Sequence, residues 1–377
     1  MPAAVDPAPE PGSPSSRHPA LHTRICDLFG IEVPIVQTGM GWVSGARLTA
    51  ATANAGGLGI LASATMTYLE LTAAIHEVQE RAPGKPFGVN LRADQPDITD
   101  RLDLLVKEGV KVASFAQAPS KDVISRLKDD GIVTMPTVGA KRHAEKVAEW
   151  GVDAVIAQGA EGGGHTGSVP TSLLLPQVVD TVDIPVLGAG GFHDGRGLVA
   201  ALAWGAEGVA MGTRFLLSAE SRVPDLIKEI YLGKTVNDTV VTTAIDGYPQ
   251  RVIRTELVDD LEKATVLTRF PKALKNALEF RKLTGTSFLD LAKEGLAMKR
   301  NQDITWAQLA MAANAPMLIK ASMVDGRPEV GILPTGQGIG VIDDLPSVAD
   351  LLDRIMAEAE AVLTRLSGDS VSQTLQN

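Results

Sequence analysis

Eight short apolar runs, spaced roughly 20 to 30 residues apart with helical patterns between them, constrain this chain more than any other feature of its sequence. They are Pro34 to Gln37, Gly57 to Leu61, Pro86 to Asn90, Val112 to Phe115, Val133 to Pro136, Ala154 to Ala157, Pro185 to Leu187, and Gly208 to Met211. Leu69, Ala73, Ile75 and Val78, and again Leu102, Leu105 and Val106, carry helical spacing, with Asp or Thr near several starts. Eight strand-helix units in series predict an α/β fold, a closed (β/α)8 TIM barrel rather than an open doubly wound sheet.

The strand rhythm fails after about Ser218. Leu274, Leu278 and Phe280, then Phe288, Leu289 and Leu291, follow a helical pattern, so residues 219–320 are expected to form a mainly helical lid inserted after a barrel of residues 21–218. Residues 321–368 return to the barrel through Pro334-Thr335-Gly336-Gln337-Gly338 and end in an amphipathic helix from Val348 to Leu366. Residues 1–20, with six of the 22 prolines, read as a disordered tail, and residues 369–377 as a second polar tail.

With 377 residues, 45% hydrophobic and 21% charged, the chain is long enough for a barrel with an appendage and has a globular balance. No stretch approaches the ~18 uninterrupted apolar residues of a membrane span. The first residues lack the basic start and apolar middle of a secretory signal, and the single Cys26 cannot form an internal disulfide, so a cytoplasmic location is expected. A net charge of −10 and 4% aromatic residues disfavour nucleic acid as a partner. No GxxxxGK[ST] phosphate loop and no HExxH pair occurs, and no metal site is expected.

Barrel chemistry sits at the carboxyl ends of the strands, which is where glycine and polar residues concentrate here. After the sixth run comes Gln158-Gly159-Ala160-Glu161-Gly162-Gly163-Gly164-His165-Thr166-Gly167, whose glycines let backbone approach a planar ligand with His165 placed over it; the plainer reading is a flexible loop with a surface histidine. After the seventh and eighth runs come Gly188-Ala189-Gly190-Gly191 and Met211-Gly212-Thr213-Arg214. Loops at those two places commonly form a phosphate site, so a phosphate-bearing cofactor is expected, for which flavin mononucleotide fits the space. His18, His22, His76 and His143 are weaker candidates than His165, and His193 either reaches the phosphate or faces solvent.

These motifs resemble the nitronate monooxygenase (2-nitropropane dioxygenase) family and the related flavin-dependent enoyl-acyl-carrier-protein reductases. The resemblance runs from about Arg24 to Leu366 and rests on Pro34-Ile35-Val36-Gln37-Thr38-Gly39-Met40, Ala55-Gly56-Gly57-Leu58-Gly59, Phe87-Gly88-Val89-Asn90, the Gln158 to Gly167 loop, Ala189-Gly190-Gly191, Met211-Gly212-Thr213-Arg214-Phe215 and Gly336-Gln337. It implies an FMN-bearing barrel in which Gly39, Met40, Gly41, Asn90, Gln158, Gly163, Gly164, Gly190, Gly191, Gly212, Thr213 and Gln337 hold the cofactor and His165 is catalytic. Where nitronate monooxygenases typically read Ala-Pro-Met and Glu-Ala-Gly-Gly-His, this chain has Thr38-Gly39-Met40 and Glu161-Gly162-Gly163-Gly164-His165. The run from Gln37 to Val43 and Ala62-Ser63-Ala64-Thr65-Met66-Thr67 resemble a third group, actinobacterial proteins acting on coenzyme A thioesters late in steroid ring breakdown.

The resemblance therefore implies an FMN-dependent oxidoreductase that desaturates, or in reverse reduces, a bicyclic steroid-derived acyl-CoA thioester in steroid C/D-ring catabolism. Nitronate oxidation with oxygen, enoyl-thioester reduction, and a flavin-binding barrel without turnover are the alternatives. NAD(H) as the electron partner and assembly into a homo-oligomer stay open. Lys263, Arg269, Lys272, Lys275, Arg281 and Lys282 form a basic cluster that would hold the phosphates of coenzyme A or a nicotinamide dinucleotide, unless it is simply a solvated helix face. Trp42 either walls the substrate space or packs in the core.

Overall fold

The computed structural model describes residues 17–116, 119–263 and 314–368. A parallel ladder runs through β1 (Ile35–Gln37), β2 (Leu58–Ala62), β3 (Phe87–Leu91), β4 (Val112–Phe115), β5 (Val133–Val138) and β6 (Val155–Gln158). It skips β7 (Gly164–His165), continues through β8 (Val186–Ala189) and β9 (Gly208–Met211), and closes where β9 pairs with β1. All eight expected strands form the barrel. Five begin one residue later than the sequence suggests, and in three of them the reason is a proline: Pro34, Pro86 and Pro185 have no N–H to give the ladder, so pairing starts at Ile35, Phe87 and Val186.

Side chains alternate along each strand. One set, with Val36, Leu58, Ile60, Val112, Met135, Ile156, Leu187 and Ala210, fills the barrel and packs on Ile25, Cys26 and Phe29 of α1 (Arg24–Phe29). The other set faces an outer ring made of α2 (Ala46–Asn54), α3 (Tyr68–Arg81), α4 (Ile98–Lys107), α5 (Lys121–Asp129), α6 (Lys141–Glu149), α7 (Thr171–Val179) and α8 (Gly195–Ala203). Gly59 marks the tightest contact of strand and ring, since a Cβ there would lie 2.2 Å from the Thr49 carbonyl oxygen in α2. Backbone cannot yield as a side chain does, so Gly59→Ala is expected to cost at least the ~1–3 kcal/mol of overpacking, read as a lower urea midpoint.

The expected helical lid is different where it is described. After α9 (Thr213–Leu216) and α10 (Asp225–Leu232) the chain forms a hairpin of β10 (Thr239–Thr242) and β11 (Gln250–Ile253), followed by α11 (Glu256–Lys263). Both strands are rich in β-branched residues, Thr239, Val240, Val241 and Thr242 against Val252 and Ile253, which favour a pleated surface. β11 then pairs antiparallel with β7, matching Gln250 to His165 and Arg251 to Gly164. Residues 18–21, expected within or next to the disordered tail, form a 3-10 turn, Pro19–Leu21, with Leu21 buried.

Beyond α12 (Asn314–Met323) the chain crosses the barrel rim and ends in α13 (Val348–Ser367). α9 is only 4 residues long, so the ring position between α8 and α2 is taken by α13, which packs on both. Val348, Leu351, Leu352, Ile355, Met356 and Ala359 are buried there. The approach is close enough that a Cβ on Gly195 would fall 2.4 Å from the Ala359 nitrogen. No helix among the described residues is long and apolar enough to cross a membrane.

Candidate active site

At the carboxyl ends of the strands the apolar filling gives way to polar side chains. Asn90 on β3 and Ser114 on β4 are register partners at the mouth, with Asn90 Nδ2 donating to Ser114 Oγ at 3.4 Å, and Gln158 ends β6. Several of the residues expected to hold a cofactor lie close to one another along the rim of the mouth. A Cβ on Gly39 would fall 2.4 Å from that of Asn90, and one on Gly212 would lie 3.4 Å from Thr38 Oγ1 and 3.6 Å from Met40 Sδ. Gly336 N donates to Thr213 Oγ1 at 2.9 Å, and Gln337 N to the Glu161 carbonyl at 2.9 Å. A Cβ on Gly163 would meet the Thr335 backbone at 2.5 Å, one on Gly190 the Gly162 nitrogen at 3.1 Å, and one on Gly338 the Gly191 oxygen at 3.8 Å. Gly41 lies exposed beside Thr65 at the start of this rim.

Gly190 and Gly191 have φ of +103° and +83°, a turn of two consecutive left-handed residues that a side chain would strain. Thr171 Oγ1 donates to the Gly190 carbonyl at 3.1 Å and is itself held by Glu161, whose Oε2 accepts from the Thr171 nitrogen at 2.9 Å. Glu161 is therefore a clamp between the β6 loop and α7. His193 sits against the same turn, with Nδ1 3.2 Å from the Gly191 carbonyl. The donors at this rim are backbone amides beside the glycines and the carboxamides of Asn90 and Gln158, with the apolar Met40 side chain next to them, which suits a planar ligand bearing one phosphate.

His165 is placed by backbone on both sides. β7 pairs with β11, and Gln158 Nε2 donates to the His165 carbonyl at 2.7 Å. Its Nε2 lies 2.8 Å from Oδ2 of Asp246, a residue the sequence did not single out. The Asp246 side chain is 5% exposed and also accepts from Gln250 Nε2 and, at 3.1 Å, from the Tyr248 nitrogen. Three hydrogen bonds thus hold this buried carboxylate in place. Donation from Nε2 to Asp246 fixes the imidazole tautomer and leaves Nδ1 as the basic nitrogen on a ring whose side chain is 63% exposed. Tyr248 stands edge-on to the imidazole at 6.0 Å between ring centroids; burial, and then the Asp246 carboxylate, push its phenol up from its ordinary value.

Arg251 joins the hairpin to the β6 loop, donating from Nε and Nη2 to the Ala160 carbonyl at 3.2 and 2.9 Å. The hairpin thus brings Asp246, Tyr248, Gln250 and Arg251 to the histidine. Trp42 takes the packing role: it lies against the cluster containing Val43 and Leu216, and its Nε1 donates to the Pro316 carbonyl at 2.9 Å. Among the described residues it is the one non-glycine with a positive φ, +64°. Arg269, Lys272 and Lys275 lie outside the described residues.

Asp246→Asn keeps the side-chain volume but supplies an amide where the imidazole needs an acceptor. It is expected to lower kcat by about tenfold or more, less than loss of the imidazole itself, with a smaller change in KM.

The family model described as nitronate monooxygenase matches residues 22–103 and 98–358. A protein of Rhodococcus jostii strain RHA1 named (3aS,4S,5R,7aS)-5-hydroxy-7a-methyl-1-oxo-octahydro-1H-indene-4-carboxyl-CoA dehydrogenase is 56% identical over 339 residues, covering 90% of this chain and 96% of that protein. A probable nitronate monooxygenase of Staphylococcus saprophyticus is 35% identical over 289 residues, 64% of this chain and 81% of that protein. Among solved structures, FabK from Thermotoga maritima superposes with a TM-score of 0.75 at 35% identity, over 92% of this chain and 98% of that one. The matched residues span the barrel, the hairpin and the returning segment that complete the rim, and the chain belongs to the nitronate monooxygenase family.

Proposed function

We propose that this protein is an FMN-dependent oxidoreductase that desaturates a bicyclic, steroid-derived acyl-CoA thioester, with NAD(H) as the electron partner. The observation that carries the reading is the His165–Asp246 pair set beside the glycine rim, in a chain 56% identical over 90% of its length to a carboxyl-CoA dehydrogenase acting on an indene ring system. Bound FMN supplies a two-electron acceptor for the hydride. Gly190, Gly191, Gly212 and Thr213 would hold its phosphate, while Met40, Asn90 and Gln158 would line its ring.

The chain's own part is acid-base chemistry. His165 Nδ1 removes the proton from the carbon next to the thioester carbonyl, and hydride leaves the adjacent ring carbon, giving an alkene conjugated with the thioester. Asp246 stabilises the imidazolium as it forms. The Trp42 side of the rim, tied to Pro316, limits the space over the mouth from which water must be kept.

A second reading, oxidation of alkyl nitronates with oxygen, is favoured by the family model's description and by the staphylococcal relatives. Anaerobic mixing of the purified flavoprotein with bicyclic acyl-CoA esters and with propionate 3-nitronate separates the two. Bleaching of the flavin by a thioester supports the dehydrogenase; bleaching by the nitronate alone replaces it with the monooxygenase, and a protein that binds no flavin overturns both.

A further inference from the structure

Outside the rim, an open cleft of about 680 Å³ lies between α2, α3 and the segment leading into α10. Four cationic side chains line it, Arg47, Arg81, Arg222 and Lys228, against two carboxylates, Glu77 and Asp225. That local excess of positive charge stands in a chain of net charge −10. Glu77 is already paired with Arg81 at 2.7 Å, and Asp225 reaches Lys228 only at 4.0 Å. Among the described residues no carboxylate pairs with Arg47 or Arg222.

The cations are held in place rather than trailing in solvent. Arg47 Nε donates to the Glu220 carbonyl at 2.8 Å, and its Nη2 to that of Ala219 at 2.9 Å. Lys228 Nζ donates to the carbonyls of Ser218 and Ser221 at 3.0 and 2.9 Å, and desolvation pulls its ammonium down from its ordinary value. Arg222 Nε donates to the Trp42 carbonyl at 2.9 Å, and its guanidinium lies against Gly45, where a Cβ would sit 3.4 Å from Nη1. The cleft is thereby joined through one residue, Trp42, to the Met40-Gly41 turn at the start of the rim.

We infer that this cleft binds the adenosine 3′-phosphate 5′-diphosphate end of coenzyme A, with the pantetheine arm running past Trp42 into the mouth; the inference rests on the thioester reading proposed above. Guanidinium forks match phosphate oxygens in pairs, and the 3′-phosphate alone carries about −1.5 to −2 charges at neutral pH. The cleft volume lies within the ~300–1,000 Å³ of ligand pockets. Fixing the nucleotide there sets how far the thioester carbonyl reaches towards His165.

The test uses the flavoprotein and two probes. Calorimetric titration with adenosine 3′,5′-bisphosphate reports the cleft without turnover, and the ratio of kcat/KM for a CoA thioester to that for the matching pantetheine thioester reports its use in catalysis. Arg222→Ala is expected to weaken bisphosphate binding, and to lower that ratio, by about tenfold. Arg81→Ala, whose side chain is exposed and pairs only with Glu77 among the described residues, gives a smaller loss in the same direction without disturbing a backbone contact. The inference is overturned if the wild-type protein does not bind the bisphosphate, if both variants bind it as tightly as wild type, or if wild type uses the two thioesters equally. If neither thioester bleaches the flavin while the bisphosphate binds in an arginine-dependent way, the dehydrogenase reading fails and the cleft stands as a nucleotide-phosphate site.

Discussion

His165→Gln slows reduction of the flavin by the acyl-CoA substrate by about 10²–10⁴-fold, the usual contribution of a positioned general base. Stopped-flow bleaching of the flavin absorbance is the check. Glutamine keeps a polar side chain opposite Asp246 but has no basic nitrogen, so flavin content is expected to match wild type while the chemical step is lost. The β7 to β11 pairing is made by backbone and does not depend on the imidazole. A variant that retains flavin and reduces it at the wild-type rate would remove His165 from the mechanism.

The largest effect on stability is expected at Asp344. This carboxylate accepts from Arg214 Nη1 at 2.7 Å and from Arg354 Nη1 at 2.5 Å, so one residue joins α9, directly after the Gly212-Thr213 turn, to α13. The Arg214 side chain is 3% exposed. Asp344→Ala leaves a buried guanidinium without its counter-charge. The ~3–5 kcal/mol typical of such a break is reduced here to about 2–3 kcal/mol, because the Asp344 side chain is 36% exposed to solvent. Urea unfolding followed by tryptophan fluorescence would show it.

The same group gives a pH dependence of known sign. The Arg354 hydrogen bond, opposed by burial and supported by Arg214, holds the Asp344 carboxyl below its ordinary value of 3.8. A depressed folded pKa means that the unfolded chain binds the proton more readily. The stabilisation is therefore complete above about pH 4 and is lost as pH falls through the lower folded value. Wild type and Asp344→Ala should converge in stability at acid pH; a constant gap down to pH 2 would refute the assignment.

The barrel was legible because its strands are local signals repeated in series. Val112–Phe115 and Gly208–Met211 match the sequence reading end to end, since each is a short apolar run bounded by polar or glycine punctuation. The hairpin was not read, although Thr239 to Thr242 is β-branched, because β10 is largely half-exposed and lacks the buried apolar face that marks a barrel strand. His165 could be singled out from its glycine-rich setting and the family resemblance. Asp246 could not, since it is 81 residues distant and its Asp-Gly sequence looks like any turn; only the pairing of β11 with β7 brings the two together. The cleft of Arg47, Arg81 and Arg222 was hidden for the same reason, as its cations come from three separate segments.

The placement of α13 gives the protein an order of assembly on the ribosome. The last barrel strand ends at Met211, yet the helix that seals the gap between α8 and α2 begins at Val348. At about 5–20 residues per second, the intervening stretch of roughly 140 residues takes on the order of ten seconds to synthesise. Throughout that interval the seam later covered by Leu351, Leu352, Ile355 and Met356 faces water, and the Thr335-Gly336-Gln337 side of the rim does not yet exist. A chain released at Met211 would thus expose an apolar seam and lack the Gly336 contact to Thr213.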